Sequence, residues 1–399
     1  MEHIRECMRA LMDIVNEAND EKVGYALSYL ENVEAIISNL QTSDLILTRS
    51  IVLDRQAGVT AFTLKAAGKG KFLADECVKA LALLKNYIYK LGNDIGPFSD
   101  HVQGTAVGLL DYDPASAKIK QGAAEVLMAI VDVSKPLSRE RPMINLFETL
   151  TYTLQTLKAA SPATVTSAVI EVMGLIIGRF PHLIAEAAAK AFATSILART
   201  RDGKHKNFIA QGVLSAFKYL LYAYPDYDTP GDKKRLWDLT KQALEATDEK
   251  RMGYARAGLN IIGAHAKSFA SFISPNFHGI FDAIVKWARH PNSETQNSAS
   301  YALEGFIDFA ARELSNQEHD GAERKTKTIF LIKRFERILS ENPLGDNSTK
   351  HAVEKLQSKA LEAFGKLFAT AQSFDSATAT SYRALVWESY QKYVATLLQ

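Results

Sequence analysis

The chain is poor in cysteine, with Cys7 and Cys77 alone in 399 residues. Two thiols cannot build a disulfide framework or a four-cysteine zinc site, and they suit a reducing compartment. Charge of one sign is not in surplus either. Lys+Arg 47 stand against Asp+Glu 45, a net charge of +2. That excludes a uniformly basic, histone-like protein and an acidic tail protein, while leaving room for local basic patches. No run approaches the ~18 uncharged apolar residues of a membrane-spanning helix. Arg5, Glu6, Arg9 and Asp13 interrupt MEHIRECMRALMDIVNEAND, where a secretory leader would need an apolar stretch. The chain therefore reads as cytosolic or nuclear, and the Asn347-Ser348-Thr349 sequon as a chance match. The sustained polar/apolar alternation of half-buried strands is also missing, as are low-complexity linkers.

What is present is helical periodicity. Ala80, Leu84, Tyr87, Ile88 and Leu91 form one stripe at helical spacing. Phe277, Phe281, Ile284, Val285 and Ala288 form another, and Thr328, Leu331, Ile332, Phe335, Ile338 and Leu339 a third. Alanine-rich runs such as AEAAAKAFATSILA are strong helix formers. Pro97, Pro162, Pro181, Pro275 and Pro291 fall where one stripe stops and the next starts, as expected of a residue tolerated in the first helical turn. Roughly sixteen helices on short turns are predicted by this punctuation.

Three segments share the layout of apolar helix, proline-containing turn and second apolar helix. Their prolines, Pro97, Pro181 and Pro275, are spaced by 84 and 94 positions. Halved, these give periods in or near the ~40–47 residues of HEAT and armadillo repeats. The prediction is an all-α, HEAT/armadillo-like α-solenoid of antiparallel helix pairs. Each pair would bury its apolar face only against its neighbours. It is read as one continuous array over 1–399, with soft breaks near 224–232 and 341–348, where turn formers concentrate.

Motifs for chemistry are lacking. AAGKGKF (66–72) fails as a phosphate loop because Lys65 replaces the first glycine and Phe72 follows Lys71. It reads as a helix-terminating loop. H-E-x-x-H, C-x-x-C, G-x-S-x-G and the protein-kinase signatures do not occur. His265 reads as a core or groove histidine, His101 and His182 as early helical residues, and Asp75-Glu76 as solvated first-turn carboxylates. No catalytic residue, metal ligand or cofactor is expected.

Three basic clusters remain as candidate phosphate contacts. The first is Lys69 and Lys71, with Lys65 nearby. The second is Arg199, Arg201, Lys204 and Lys206, in RTRDGKHK. The third is Lys233, Lys234 and Arg235, at the start of a helix. A solvated surface is the plainer account of each, since basic runs alone are weak signals. Tyr222, Tyr224 and Tyr227 read as packing and turn residues rather than a stacking platform.

Two separated stretches carry a resemblance. From Ile51 to Val133 these are Arg55-Gln56-Ala57-Gly58 entering a helix, Glu76-Cys77 opening the next, and LKNYIYKLGNDIGPFSDHV across the turn. From Lys250 to Ala311 they include Lys286-Trp287-Ala288 ending one helix and Ala302-Leu303-Glu304 in the following one. In order and wording both stretches resemble the N-terminal helical-repeat region of the DNA-dependent protein kinase catalytic subunit family. None of the matching phrases is a catalytic signature, so the resemblance rests on length and collinearity. It implies a non-catalytic arm of a giant nuclear serine/threonine kinase whose kinase domain lies far downstream in the family. It also implies double-stranded DNA ends and the Ku heterodimer as partners, in double-strand break repair by non-homologous end joining. The alternative is a generic HEAT/armadillo adaptor of the transport-receptor or phosphatase-scaffold type, whose groove binds peptide.

Overall fold

The computed structural model describes residues 2–17, 23–68, 74–113, 115–135, 139–157, 162–201, 206–227, 230–247, 249–315, 321–341 and 347–371, with 384, 387–388 and 391. All regular structure among them is helical. The chain divides into two compact units, Met1–Tyr224 and Pro225–Gln399.

The first unit runs α1 (Glu2–Glu17), α2 (Val23–Asn39), α3 (Thr42–Val52), α4 (Val59–Gly68), α5 (Ala74–Leu91), α6 (Ser99–Asp111), α7 (Ala117–Val133), α8 (Glu140–Thr156), α9 (Ala163–Arg179), α10 (Glu186–Ala198) and α11 (Lys206–Ala223). Helices α5, α7, α9 and α11 pack side by side as one layer, and α4, α6 and α8 form the other, each against its successor. The stripe expected in α5 is buried from Ala80 to Leu91. Tyr87 packs fully inside, and its hydroxyl donates to the Leu45 carbonyl at 2.7 Å and contacts Thr48 Oγ1 at 2.9 Å.

Local chemistry sets the helix ends. Ser116 caps α7, its Oγ accepting from the Ile119 N–H at 3.4 Å, and so satisfies one of the orphan donors of the first turn. Between α5 and α6 a 3-10 turn, Gly92–Phe98, needs two left-handed residues, and glycine supplies both, at φ 56° for Gly92 and 48° for Gly96. The closest packing joins α9 to α11. A Cβ added at Gly174 would stand 2.4 Å from Ala216 Cα, and one at Gly212 would stand 2.4 Å from the Ser167 carbonyl.

The second unit runs α12 (Pro230–Leu244), α13 (Met252–His265), the single turn α14 (Ala270–Ile273), α15 (Phe277–Ala288), α16 (Ser293–Ser315), α17 (Gly321–Leu339) and α18 (Asn347–Ala371). Helices α13, α16 and α18 form one layer, with α12, α15 and α17 paired onto them. Asn292 caps α16, accepting from the Thr295 N–H at 3.0 Å. Phe281 is fully buried, with Phe306 at 5.8 Å and Phe335 at 5.5 Å between ring centroids. His265 is buried, as expected.

Three expectations need correction. Glu76 is not solvated: it is 6% exposed in the first turn of α5, while Asp75 is exposed. The N-terminal N–H groups favour a carboxylate there. His182 lies in the turn between α9 and α10 rather than in a helix, with Nε2 3.4 Å from Glu140. The repeat length is also less uniform than the proline spacing implies. Side-chain ties between successive repeats span 39 residues at Thr48–Tyr87, 42 at Thr153–Asp111 and 45 at Arg199–Leu154. In the second unit they span 43 at Trp287–Leu244, but 52 at Arg334–Asp282 and 58 at Lys366–Asp308. The widening accompanies the long α16, α17 and α18.

Candidate functional site

Within the first unit, helices of the α5 layer run parallel. Ser167, Gly174 and Gly178 of α9 meet Gly212, Ala216 and Tyr219 of α11 in the same order. On α5 and α7, Leu81 meets Gly122 and Lys85 meets Glu125 in the same sense. The α4–α5 and α10–α11 connections therefore leave from one edge of this unit, where the N-termini of α5, α7, α9 and α11 also end. Lys69, Lys71 and Lys204 lie outside the described residues, as does the loop expected of 66–72 beyond Gly68. Lys206 is the first residue of α11.

The second cluster divides into unlike members. The Arg199 guanidinium is half-buried and donates to the Leu154 carbonyl at 2.7 Å, tying the end of α10 to α8. Arg201 is exposed. Lys65 is exposed at the end of α4, and its ammonium reaches the backbone carbonyl of Asn16. Asp111 and Asp113 belong to the same edge, at the α6–α7 connection, and Asp111 accepts from Thr153 Oγ1 at 3.1 Å.

Toward the C-terminal ends of the same layer the charges are mixed. Burial first, then the carboxylates of Glu171 and Asp132, push the Tyr219 phenol up to about 12. Burial lowers Lys218, opposed by the same two carboxylates, and its ammonium lies 5.3 Å from the Tyr219 ring centroid. Arg179 stands 3.8 Å from Asp132 and donates to the Ser134 carbonyl at 3.2 Å. These groups bind the layer to itself. Tyr224 does likewise, donating to the Ile184 carbonyl at 2.7 Å. Tyr222 is exposed.

In the second unit, Lys233, Lys234 and Arg235 occupy the first turns of α12. Lys234 is exposed, and Lys233 and Arg235 are half-buried. Tyr227 is buried, and its hydroxyl donates to Asp232 Oδ2 at 2.7 Å beside this cluster. A group missed in the sequence lies on α17, where Lys325, Lys333 and Arg337 are exposed. Its cations are spread at helical intervals, so contiguous runs do not reveal them, whereas a helical projection does. No group of three or more metal-ligating residues occurs among the described residues, nor is any helix there long and apolar enough to cross a membrane.

Two layers of antiparallel helix pairs, each tied to the next at a distance of one repeat, define a HEAT-repeat-like α-solenoid. The fold is similar to yeast importin-beta (TM-score 0.54, 12% identity, covering 99% of this chain and 53% of that one). It is also similar to importin beta crystallised in ammonium sulfate (TM-score 0.58, 14% identity, 97% and 49%). At such identities the likeness concerns the fold alone. The chain belongs to the DNA-PKcs N-terminal family, whose model matches residues 46–395. It is 27% identical over 328 residues to the DNA-dependent protein kinase catalytic subunit of Xenopus laevis, covering 79% of this chain and 8% of that protein. To the Gallus gallus protein of the same name it is 24% identical over 352 residues, covering 84% and 8%. The chain thus spans under a tenth of the curated relatives it matches.

Proposed function

We propose that this chain is a non-catalytic helical scaffold that helps hold double-stranded DNA ends together with the Ku heterodimer, in nuclear double-strand break repair by non-homologous end joining. Membership of the DNA-PKcs N-terminal family supports the setting. The observation that carries the contact is topological. Helices α5 and α11, which the basic segments 69–71 and 199–206 precede or open in the chain, begin at the edge where α7 and α9 also begin. Helix N-termini favour anions, and lysine and arginine beside them add charge that phosphates accept without sequence reading. The third cluster, Lys233, Lys234 and Arg235, also begins a helix and is a second candidate contact.

The near-neutral total charge requires the attraction to be local, so binding to duplex ends is modest, independent of sequence, and stronger with Ku present. Reversing Arg201, Lys204 and Lys206 to glutamate is expected to weaken binding equally for all sequences. It should flatten the dependence of log K on log salt by about one unit per lost phosphate contact. A triple variant that binds duplex ends and Ku as tightly as the parent at ~50 mM salt, where phosphate contacts weigh most, would reduce this edge to a solvated surface.

A further inference from the structure

Helix α17 bears Arg324, Lys325, Lys327, Lys333, Arg334 and Arg337 against only Glu323 and Glu336. Part of this charge is used internally. Lys327 is buried, with Nζ 2.6 Å from both Ser274 Oγ and Glu323. Arg334 pairs with Asp282 at 2.7 Å and covers the Phe330 ring at 5.2 Å. Lys325, Lys333 and Arg337 are exposed and make no side-chain ion pair among the described residues. At helical spacing they share one face, with half-buried Ile329 between them.

Beside that face is an open groove of about 460 Å³, between the Ser274–Gly279 turn and Glu323, Thr326 and Lys327. Phe277 lies beneath it with its ring buried in the core, and the exposed His278, stacked on Phe330 at 3.9 Å between centroids, forms a wall. From Thr326, in the groove, Lys333 and Arg337 lie about 10 and 16 Å further along the helix axis.

We propose that this groove and cation row together bind an acidic peptide segment. An apolar side chain of the peptide enters the groove, and carboxylates two to three turns along pair with Lys333 and Arg337. Two observations favour a peptide over a nucleic acid. The cations share their surface with Asp282, Glu323 and Glu336. A duplex carries a charge per ~1.7 Å of its axis and would run across them, whereas discrete side chains step between them. A concave site walled by the His278 ring and Pro275 also suits a side chain rather than a phosphodiester. The proposal rests on the second unit alone, independently of the DNA-end reading.

The test uses the full chain and a fluorescein-labelled peptide with one phenylalanine followed by an acidic run. Its companion carries serine for the phenylalanine, and an unlabelled DNA duplex serves as the competing polyanion. Anisotropy is expected to report binding of the first peptide, weakened about tenfold or more in Lys333→Glu/Arg337→Glu, since charge reversal replaces attraction by repulsion. Gly279→Trp should fill the groove, because a Cβ added there meets nothing within 4 Å. It should lower the phenylalanine peptide to the level of the serine peptide while helicity and unfolding stay as in the parent. The proposal is overturned if the peptide does not bind, or if it binds parent and both variants alike. It is equally overturned if the duplex, and not the peptide, loses binding in the charge-reversed variant.

Discussion

The indole Nε1 of Trp287 donates to the backbone carbonyl of Leu244 at 3.0 Å, across 43 residues of chain. Leu244 ends α12, and the last carbonyls of a helix have no partner inside it. A side chain from the next repeat therefore caps the previous one. Trp287→Phe keeps most of the buried ring and removes the donor. The expected cost is about 1 kcal/mol, that of one net hydrogen bond, with no change in helix content. Denaturant unfolding followed by circular dichroism measures it.

Phe281 offers a larger effect. It is fully buried among Phe306, Phe330 and Phe335. Truncation to alanine should cost ~3–5 kcal/mol through lost burial and the cavity left behind. A loss below ~1 kcal/mol is the range of surface substitutions and would contradict its place in the core.

Gly174 and Gly212 should resist even the smallest enlargement. The added methyl of Gly174→Ala or Gly212→Ala meets backbone of the facing helix at 2.4 Å, which a rotamer change cannot relieve. A loss of ~1–3 kcal/mol is expected from overpacking, against the slight gain that alanine usually brings to a helix interior. Gly104→Ala in α6, where an added Cβ has open space, is the control and should not destabilise.

Arginines 199 and 201 should separate. Arg199→Ala removes the donor to Leu154 and should lower stability by about 1 kcal/mol. Arg201→Ala, at an exposed position, should leave stability within about 0.5 kcal/mol. Thermal melts of the two single variants, run beside DNA-end binding, distinguish the structural arginine from the available one.

Alkaline stability follows from the tyrosines. Burial raises Tyr87 and Tyr254 well above the ordinary phenol value and Tyr219 to about 12. In the unfolded chain the same phenols ionise near ~10. Between those values the folded state holds more protons, so stability falls as pH rises through the window and is unaffected by these groups below it. The unfolding midpoint should hold from neutrality to about pH 9 and then drop, while tyrosinate absorbance and loss of helix rise together. Tyrosinate appearing near pH 10 from these three phenols with the helices intact would contradict the burial.

The fold was legible because apolar spacing is a local property. The stripes ending at Leu91 and Ala288 pack inward where the period puts them, and the third does so up to Ile338, while its last member, Leu339, is half-buried. Legible too was Phe281 as core, since the apolar residues Phe277, Phe281 and Ile284 at i, i+4 and i+7 have a single face to share. Glu76 was not, because burial of a carboxylate depends on neighbouring helices and not on its own turn. The α9–α11 contact escaped for the same reason: glycine in a helix signals a close approach without naming its partner. Runs of basic residues single out Arg199, whose guanidinium also ties α10 to α8, and pass over α17, whose cations lie one to three turns apart.

The ties that span 39 residues at one place and 58 at another have a consequence for how such a chain can change. An extra residue inside a helix would rotate everything beyond it by ~100° and break every tie on that face. The same insertion in a connection alters the offset between partners and nothing else. Helix phase is therefore the fixed clock of the architecture and chain length the free-running one. A comparison of the sequence with itself at any fixed offset falls out of step within a few repeats, although the packing never does.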